Sequence, residues 1–147
     1  MKKYFLFLFA LTFLASCKST VDTKSQVGIK GNWTLTDVSY DGSSYFNVKS
    51  FQIADAKCFE GSQWSFVSNN NKGTMELAKA GCPSASGEFM WTITPDQQFT
   101  LKFVGEGDKA KKVTAGFVLR VQNQTATSFE LVDTANMGGK TTNIVYH

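Results

Sequence analysis

Few side chains in this sequence could carry out covalent or metal chemistry. The 147 residues include three cysteines, Cys17, Cys58 and Cys82, and a single histidine, His147. The cysteines lie far apart and form no C-x-x-C pair, so the sequence contains no zinc-binding or redox motif of that kind. We therefore predict no metal site and no bound cofactor.

Sequence motifs of the common enzyme classes are also missing. The chain has no G-x-S-x-G elbow, no phosphate-binding loop and no dinucleotide fingerprint. Glu60, Glu76, Glu88 and Glu130 are carboxylates that could meet in space, but three of the four fall on outward positions of the predicted strands. We expect a protein that is not an enzyme.

Cys17 ends an apolar N-terminal run. Lys2 and Lys3 precede about ten apolar residues, too few to span a bilayer of ~30 Å, and LASC at residues 14–17 follows. This order is typical of a secretory signal. LASC also resembles the bacterial lipobox, which implies a signal peptide at residues 1–16 and acylation of Cys17, with fatty acids such as palmitate. An ordinary secretory signal that ends near a cysteine is the alternative.

Acylation of Cys17 would anchor the protein to a membrane, because several acyl chains hold a domain far more firmly than one chain. Lys18 stands where some bacteria use an aspartate to retain lipoproteins at the inner membrane. We therefore expect the protein to lie in the cell envelope, anchored to the outer membrane. The periplasmic and the surface face both stay open.

The two other cysteines are predicted to form a disulfide. If Cys17 is acylated, Cys58 and Cys82 remain as an even pair in a chain exported to an oxidising compartment. Closing a loop of this length contributes about 3 kcal/mol in the chain-entropy model. Two free thiols are the alternative.

The charge of the chain gives no reason to expect nucleic acid. The formal net charge is +3, and Lys2 and Lys3 in the predicted signal peptide account for part of it. The only short basic cluster is KAKK at residues 109–112, and the rest of the domain is close to neutral. We expect a monomer without a nucleic-acid partner, and leave a protein partner open.

From Gly31 onward, apolar and polar residues alternate in short runs, a pattern that predicts about eight β-strands and no helix. Residues 17–30 are polar and are predicted to form the acylated cysteine and a flexible tether, followed by one domain at residues 31–147. The apolar residues that share a face are Trp64 and Phe66; Met75 and Leu77; Phe89, Trp91 and Ile93; Phe99, Leu101 and Phe103; Val113, Phe117, Leu119 and Val121; Phe129 and Leu131; and Ile144 and Tyr146.

Short turns at residues 69–73, 95–98 and 122–125 join consecutive strands. Such strands can hide their apolar faces and remove open edges by closing into an antiparallel up-and-down barrel. This all-β barrel is the predicted fold. The long connection at residues 41–61 is expected to be a flap, a ninth strand or a lid.

The first predicted strand opens with Gly31-Asn32-Trp33, and this G-x-W resembles the start of lipocalin and calycin barrels. The two cysteines before WSFVSNNNKG and GEFMWTITPDQQFTL make the chain similar to small lipocalin-like lipoproteins of Bacteroidota. In larger lipocalins a basic side chain of a late strand packs on this tryptophan. The resemblance thus implies a contact between Trp33 and Arg120, although strand alternation points Arg120 outward, and a solvated Arg120 is the alternative.

The resemblance also implies an interior that carries a small hydrophobic molecule, such as a fatty acid or an isoprenoid. The candidate wall residues, placed under the connection at residues 41–61, are Trp64, Phe66, Trp91, Phe99 and Phe117. Asp37 and Asp133 are expected at the rim. Because the interior holds many aromatic rings, the alternative is a barrel that is filled by side chains and binds no ligand. Such a protein would be an envelope module, of the inhibitor type for example, that contacts a protein or a glycan.

Overall fold

The computed structural model describes residues 22–40, 48–104, 116–137 and 140–147. The predicted signal peptide at residues 1–16, the predicted acylation site Cys17 and the KAKK run lie outside the described residues. The predicted inward positions of Val113 and Ile144 also lie outside the described side chains.

Strands dominate the described residues. One α-helix, α1 (Thr23–Ile29), precedes them, and one 3-10 helix covers Ala56–Phe59. The strands are β1 (Gly31–Thr34), β2 (Val38–Ser39), β3 (Lys49–Ser50), β4 (Ala54–Asp55), β5 (Gln63–Val67), β6 (Lys72–Leu77), β7 (Ala85–Ile93), β8 (Gln98–Phe103), β9 (Phe117–Gln122), β10 (Glu130–Met137) and β11 (Lys140–Tyr146).

Alternation along the strands builds the core as predicted. In β7, buried and outward residues alternate from Ala85 to Ile93, and β6 follows the same pattern from Lys72 to Leu77. Successive side chains of a strand point to opposite faces, so each apolar set faces the inside. Phe89, Trp91 and Phe99 are each at most 1% exposed.

A glycine in β6 makes room for one of these rings. Gly73 lies opposite Phe89 in the register of β6 with β7. A Cβ atom at Gly73 would overlap the Phe89 ring and would press on the carbonyl oxygen of Ser65. The absence of a side chain at Gly73 therefore lets the Phe89 ring pack directly over β6.

The main sheet closes through its first strand. Nine strands follow the order β1-β5-β6-β7-β8-β9-β10-β11-β2, and each described pairing is antiparallel. Only residues 35–37 separate β1 from β2. Leu35 N donates to Ser62 O on one side, and Thr36 N donates to His147 O on the other. The predicted all-β up-and-down barrel is confirmed, with its first strand broken in two at residues 35–37.

The connection before β5 closes one end of the barrel. β3 and β4 form a small separate hairpin, and Phe51, Ile53 and Phe59 are buried against the core. The predicted disulfide is confirmed: Cys58 and Cys82 are bonded, with Cα atoms 5.7 Å apart. It ties this connection to the loop between β6 and β7.

An ion cluster fixes the same connection to β2. Glu60 accepts from Lys57 Nζ at 3.0 Å and from Lys79 Nζ at 3.2 Å. Val38 N donates to the same carboxylate, and Val38 O accepts from Lys57 Nζ. Burial alone would raise the pKa of Glu60, but these donors outweigh it and the pKa lies below its usual range.

The sequence prediction assigned residues 17–30 to a flexible tether, and the structure differs from it in the described part of that segment, residues 22–30. Within that segment, α1 packs across the end of the barrel opposite the disulfide. Gln26 is 3% exposed; its side chain donates to Asn71 Oδ1 at 3.0 Å and accepts from Ile93 N at 3.0 Å. Ile29 is fully buried. This docking stabilises a helix too short to be stable alone.

Among the described residues, the helices are too short and too polar to traverse a lipid bilayer.

Candidate functional site

An apolar cavity of about 180 Å³ lies inside the barrel, towards the end covered by α1. Its apolar walls come from Trp33, Leu35, Phe51, Trp64, Phe66, Phe99, Leu101, Phe129, Leu131 and Tyr146. Thr34, Thr36, Thr127, Ser128 and His147 contribute the polar part of its boundary. Because the walls are mostly hydrocarbon and aromatic, the cavity suits an apolar guest.

Two rings of β5 form one wall. Trp64 and Phe66 are stacked, with ring planes 11° apart and centroids 6.3 Å apart. Trp64 Nε1 donates to Ser62 Oγ at 2.8 Å, and Ser62 Oγ donates to Phe59 O at 2.6 Å. This chain of hydrogen bonds satisfies the indole N–H and sets the plane of the Trp64 ring.

Phe51 forms the wall of the cavity nearest the end of the barrel that carries the Cys58–Cys82 disulfide, which we call the disulfide end. It sits at the tip of the β3–β4 hairpin, where Phe51 and Gln52 both have positive φ, 51° and 56°. Such values are unfavourable for a bulky residue. Burial of the ring offsets that cost: Phe51 is 4% exposed and lies 5.3 Å from the Phe59 and Phe117 rings.

The mouth of the cavity lies between β1 and the loop that precedes β10. In the described sheet, β1 pairs along one edge only, with β5. Across the other edge, Trp33 meets Phe129 edge to face, with centroids 4.8 Å apart. Trp33 Nε1 donates to Ile29 O at 2.6 Å. Two side chains, not backbone pairing, therefore span the wall at this point.

A buried hydroxyl pair lies at the inner end of the cavity. Ser50 Oγ and Tyr146 Oη are 2.6 Å apart. Burial raises the pKa of Tyr146, and the negative charge of Asp133 raises it further. Partial burial also raises the pKa of Asp133. Of the two aspartates expected at the rim, Asp133 is half-buried and Asp37 is exposed.

A second acid lies at the rim beside the mouth. Glu130 accepts from Gln122 Nε2 and Asn123 Nδ2, both at 2.8 Å, and its Oε1 lies 2.9 Å from His147 Nδ1. The amide donors and the histidine hold the pKa of Glu130 below its usual range, although burial opposes them. The Glu130 carboxylate therefore fastens the start of β10 to the end of β11.

Three of the five predicted wall residues line the cavity: Trp64, Phe66 and Phe99. Trp91 does not line the cavity; it is buried in the core, where its ring stacks on Phe99 and its Nε1 donates to Lys72 O at 2.9 Å. Phe117 packs instead against Phe51 and Phe103. The connection at residues 41–61 was expected to cover the cavity; its described part instead folds into the barrel, where Phe51 forms one wall of the cavity and Phe59 packs on Phe51.

The predicted contact between Trp33 and Arg120 is wrong. Arg120 is exposed on the outer face of β9, and its guanidinium donates to Gln122 Oε1 at 3.4 Å. Trp33 points inward and packs on Phe129. Alternation along β9 points Arg120 outward, because Leu119 and Val121 on either side of it are buried on the inner face.

Sequence reasoning did not assign Phe129, Leu131 and Tyr146 to the cavity, although their alternation placed all three on the inner face. Trp33 was singled out only as part of the G-x-W motif. Phe51 was not assigned to the cavity either, because its role depends on how the long connection folds back into the barrel.

The described residues contain no cluster of three or more histidine, cysteine or acidic side chains that could hold a metal ion. Comparison with protein-family models, curated proteins and solved structures found no match for this chain. The geometry of the barrel and its cavity is therefore the basis for a functional assignment.

Proposed function

We propose that this protein is a lipid-anchored, lipocalin-like barrel of the cell envelope that binds one small hydrophobic molecule. The observation that carries the proposal is the apolar cavity bounded by Trp33, Phe129 and the rings of β5. A solid barrel would serve stability better, since filling such a space adds contacts. A retained apolar cavity with a mouth is what a binding protein requires.

The volume of the cavity limits the guest. Sites for drug-sized ligands usually measure about 300–1,000 Å³, whereas this cavity measures about 180 Å³. An apolar cavity of about 150 Å³ can hold benzene. The proposed guest is therefore a single ring or a short branched group, and a longer molecule would leave its remainder outside the mouth.

The hydrogen-bonding groups of the walls favour an apolar guest as well. The N–H groups of Trp33 and Trp64 already donate to Ile29 O and Ser62 Oγ. The hydroxyl of Tyr146 is paired with Ser50. A guest with several polar groups would lose its bonds to water and find few partners inside.

The anchor is proposed from LASC at residues 14–17 and the apolar run before it. Labelled palmitate should enter the chain in a bacterial host that acylates lipoproteins. Cys17→Ala should abolish the label, whereas Ser19→Ala, next to the site, should retain it. Label on the Cys17→Ala chain, or none on the natural chain, would contradict the anchor.

Binding is tested by titrating the purified chain with benzene and recording the heat. Leu131→Phe adds a ring at the cavity wall and should weaken binding at least tenfold. Val118→Phe adds the same ring on the outer face, where Val118 is 60% exposed, and should leave binding unchanged. Equal affinities for the two variants would refute binding in the cavity.

The full burial of Phe89, Trp91 and Phe99 favours a second candidate, a largely filled barrel that acts as a protein- or glycan-binding module. In that case benzene gives no heat of binding with the natural chain. A partner protein or glycan would then be recovered with the anchored chain from its membrane.

A further inference from the structure

The first described residue is already fixed to the barrel. Asp22 N donates to Ile93 O at 2.7 Å, and Gln97 Nε2 donates to Asp22 Oδ2 at 2.9 Å. The Asp22 carboxylate also accepts from Ser25 N and Ser25 Oγ at the start of α1. We call this end of the barrel the α1 end, formed by α1 and the turns at residues 68–71, 94–97 and 123–129.

The chain between the proposed anchor and Asp22 is short. Asp22 lies five residues after Cys17 along the sequence, and five fully extended residues span at most about 18 Å. β7 has nine residues, which corresponds to about 30 Å of strand. An anchor at Cys17 therefore keeps the α1 end nearer to the membrane than the disulfide end.

The mouth of the cavity belongs to the α1 end. On one side, Trp33 Nε1 donates to Ile29 O, the last residue of α1. On the other side, the loop that carries Phe129 is held to the helix by Gln124 Nε2, which donates to Ser25 O at 3.0 Å. Both sides of the mouth are thus hydrogen-bonded to the helix nearest the proposed anchor.

The outer face of α1 fits a lipid surface. Lys24 and Val27, three residues apart, lie on the side of α1 away from buried Ile29. Lys30, the residue that caps the helix, is exposed as well. Val27 is 53% exposed. The lysine ammonium groups can pair with lipid phosphates, and the apolar side chain of Val27 can enter the boundary between headgroups and acyl chains. Only two lysines contribute, so the anchor supplies most of the membrane affinity.

We infer that the mouth between Trp33 and Phe129 faces the lipid surface, and that the small hydrophobic guest enters from the bilayer rather than from bulk water. The inference rests on the proposed function, because it needs both the lipid on Cys17 and a binding-competent cavity. It adds the source of the guest, a membrane in which apolar molecules concentrate.

Orientation is tested with the full acylated chain in nanodiscs of phosphatidylethanolamine and phosphatidylglycerol. Ala126→Cys at the α1 end and Ala78→Cys at the disulfide end, both exposed, each receive a bimane fluorophore. Lipids with a nitroxide near the headgroup should quench bimane at residue 126 at least twofold more than at residue 78. Equal quenching, or stronger quenching at residue 78, would overturn the inference.

A longer tether provides the matched control. Fifteen glycine and serine residues inserted between Ser19 and Thr20 form a flexible coil that lets the barrel rotate. The difference in quenching should then shrink to less than half. An undiminished difference would overturn the argument from tether length.

Benzene binding by the unlabelled full chain separates this inference from the proposed function. Binding without a difference in quenching overturns the membrane-facing mouth and leaves the proposed function intact. A difference in quenching without any binding overturns the proposed function, and with it the entry of a guest, while the orientation stands.

Discussion

Trp33 and Phe129 meet edge to face with ring centroids 4.8 Å apart, and this contact spans the barrel wall where β1 has no strand partner among the described residues. Edge-to-face pairs contribute about 0.5–1.5 kcal/mol beyond the area that they bury. Because side chains can rotate while a backbone ladder cannot, the contact can both close the cavity and open it.

Truncating one ring should therefore loosen the wall. We expect Phe129→Ala to lower the free energy of unfolding by about 2 kcal/mol, because Phe129 is only partly buried. It should also speed the release of bound benzene. Urea denaturation measures the first effect and NMR exchange of benzene the second. Phe129→Leu should keep most of the stability; an unchanged release rate in Phe129→Ala would show that the mouth lies elsewhere.

Gly73 offers a test of the packing around the barrel axis. Gly73→Ala should lower the free energy of unfolding by about 1–3 kcal/mol, because the new methyl group meets the Phe89 ring and Ser65 O. Gly116→Ala is the matched control, since only Leu101 O comes within 4 Å of the new Cβ, at 3.9 Å. Urea denaturation should give a lower free energy of unfolding for Gly73→Ala than for Gly116→Ala. Equal stabilities would mean that Phe89 does not lie over Gly73.

The buried amide of Gln26 should hold α1 on the barrel. Gln26→Leu has a similar size but leaves Ile93 N and Asn71 Oδ1 without the partners seen here. An unsatisfied buried polar group costs about 1–3 kcal/mol, so the free energy of unfolding should fall by that amount. Amide hydrogen exchange in residues 23–29 should speed up. Lys24→Leu, on the exposed side of the helix, should change neither quantity much.

Glu60 should make stability sensitive to acid. Its pKa in the folded protein lies below the ordinary value of 4.5, so the folded state binds fewer protons than the unfolded state in that range. The stabilisation by Glu60 is thus present above about pH 4.5 and is lost as the pH falls through the folded pKa.

Glu60→Gln should therefore lower the free energy of unfolding by about 1 kcal/mol at pH 7. The difference from the natural chain should shrink as the pH falls below 4.5. Glu76→Gln is the control, because Glu76 is exposed and forms none of the ion pairs seen among the described residues. Chemical denaturation at several pH values measures both. A difference for Glu60→Gln that is constant with pH would contradict the role of the ion cluster.

The period-two pattern was sufficient to predict the strands that build the barrel. Phe89, Trp91 and Ile93 alternate with outward residues in β7, and the structure buries all three. The expectation of export, together with an even pair of remaining cysteines, was sufficient to predict the Cys58–Cys82 bond. These features depend on the local spacing of apolar residues or on the number of cysteines, and both can be read from a single sequence.

Features that depend on tertiary contacts could not be predicted. The helix TKSQVGI has no apolar stripe, and a buried glutamine, Gln26, holds it to the barrel. Phe51 reaches the cavity only because its connection folds back into the barrel. The contact expected for Arg120 was wrong because it followed a family resemblance against the alternation of β9.

We propose that a small apolar ring binds in the cavity behind Trp33 and Phe129. The most direct test of this proposal is an NMR measurement of nuclear Overhauser effects between bound benzene and the methyl groups of the chain. We expect cross-peaks to Leu35, Leu101 and Leu131, which line the cavity, and none to Val118 on the outer face. Cross-peaks to Val118 alone, or none with the cavity methyl groups at saturating benzene, would contradict it.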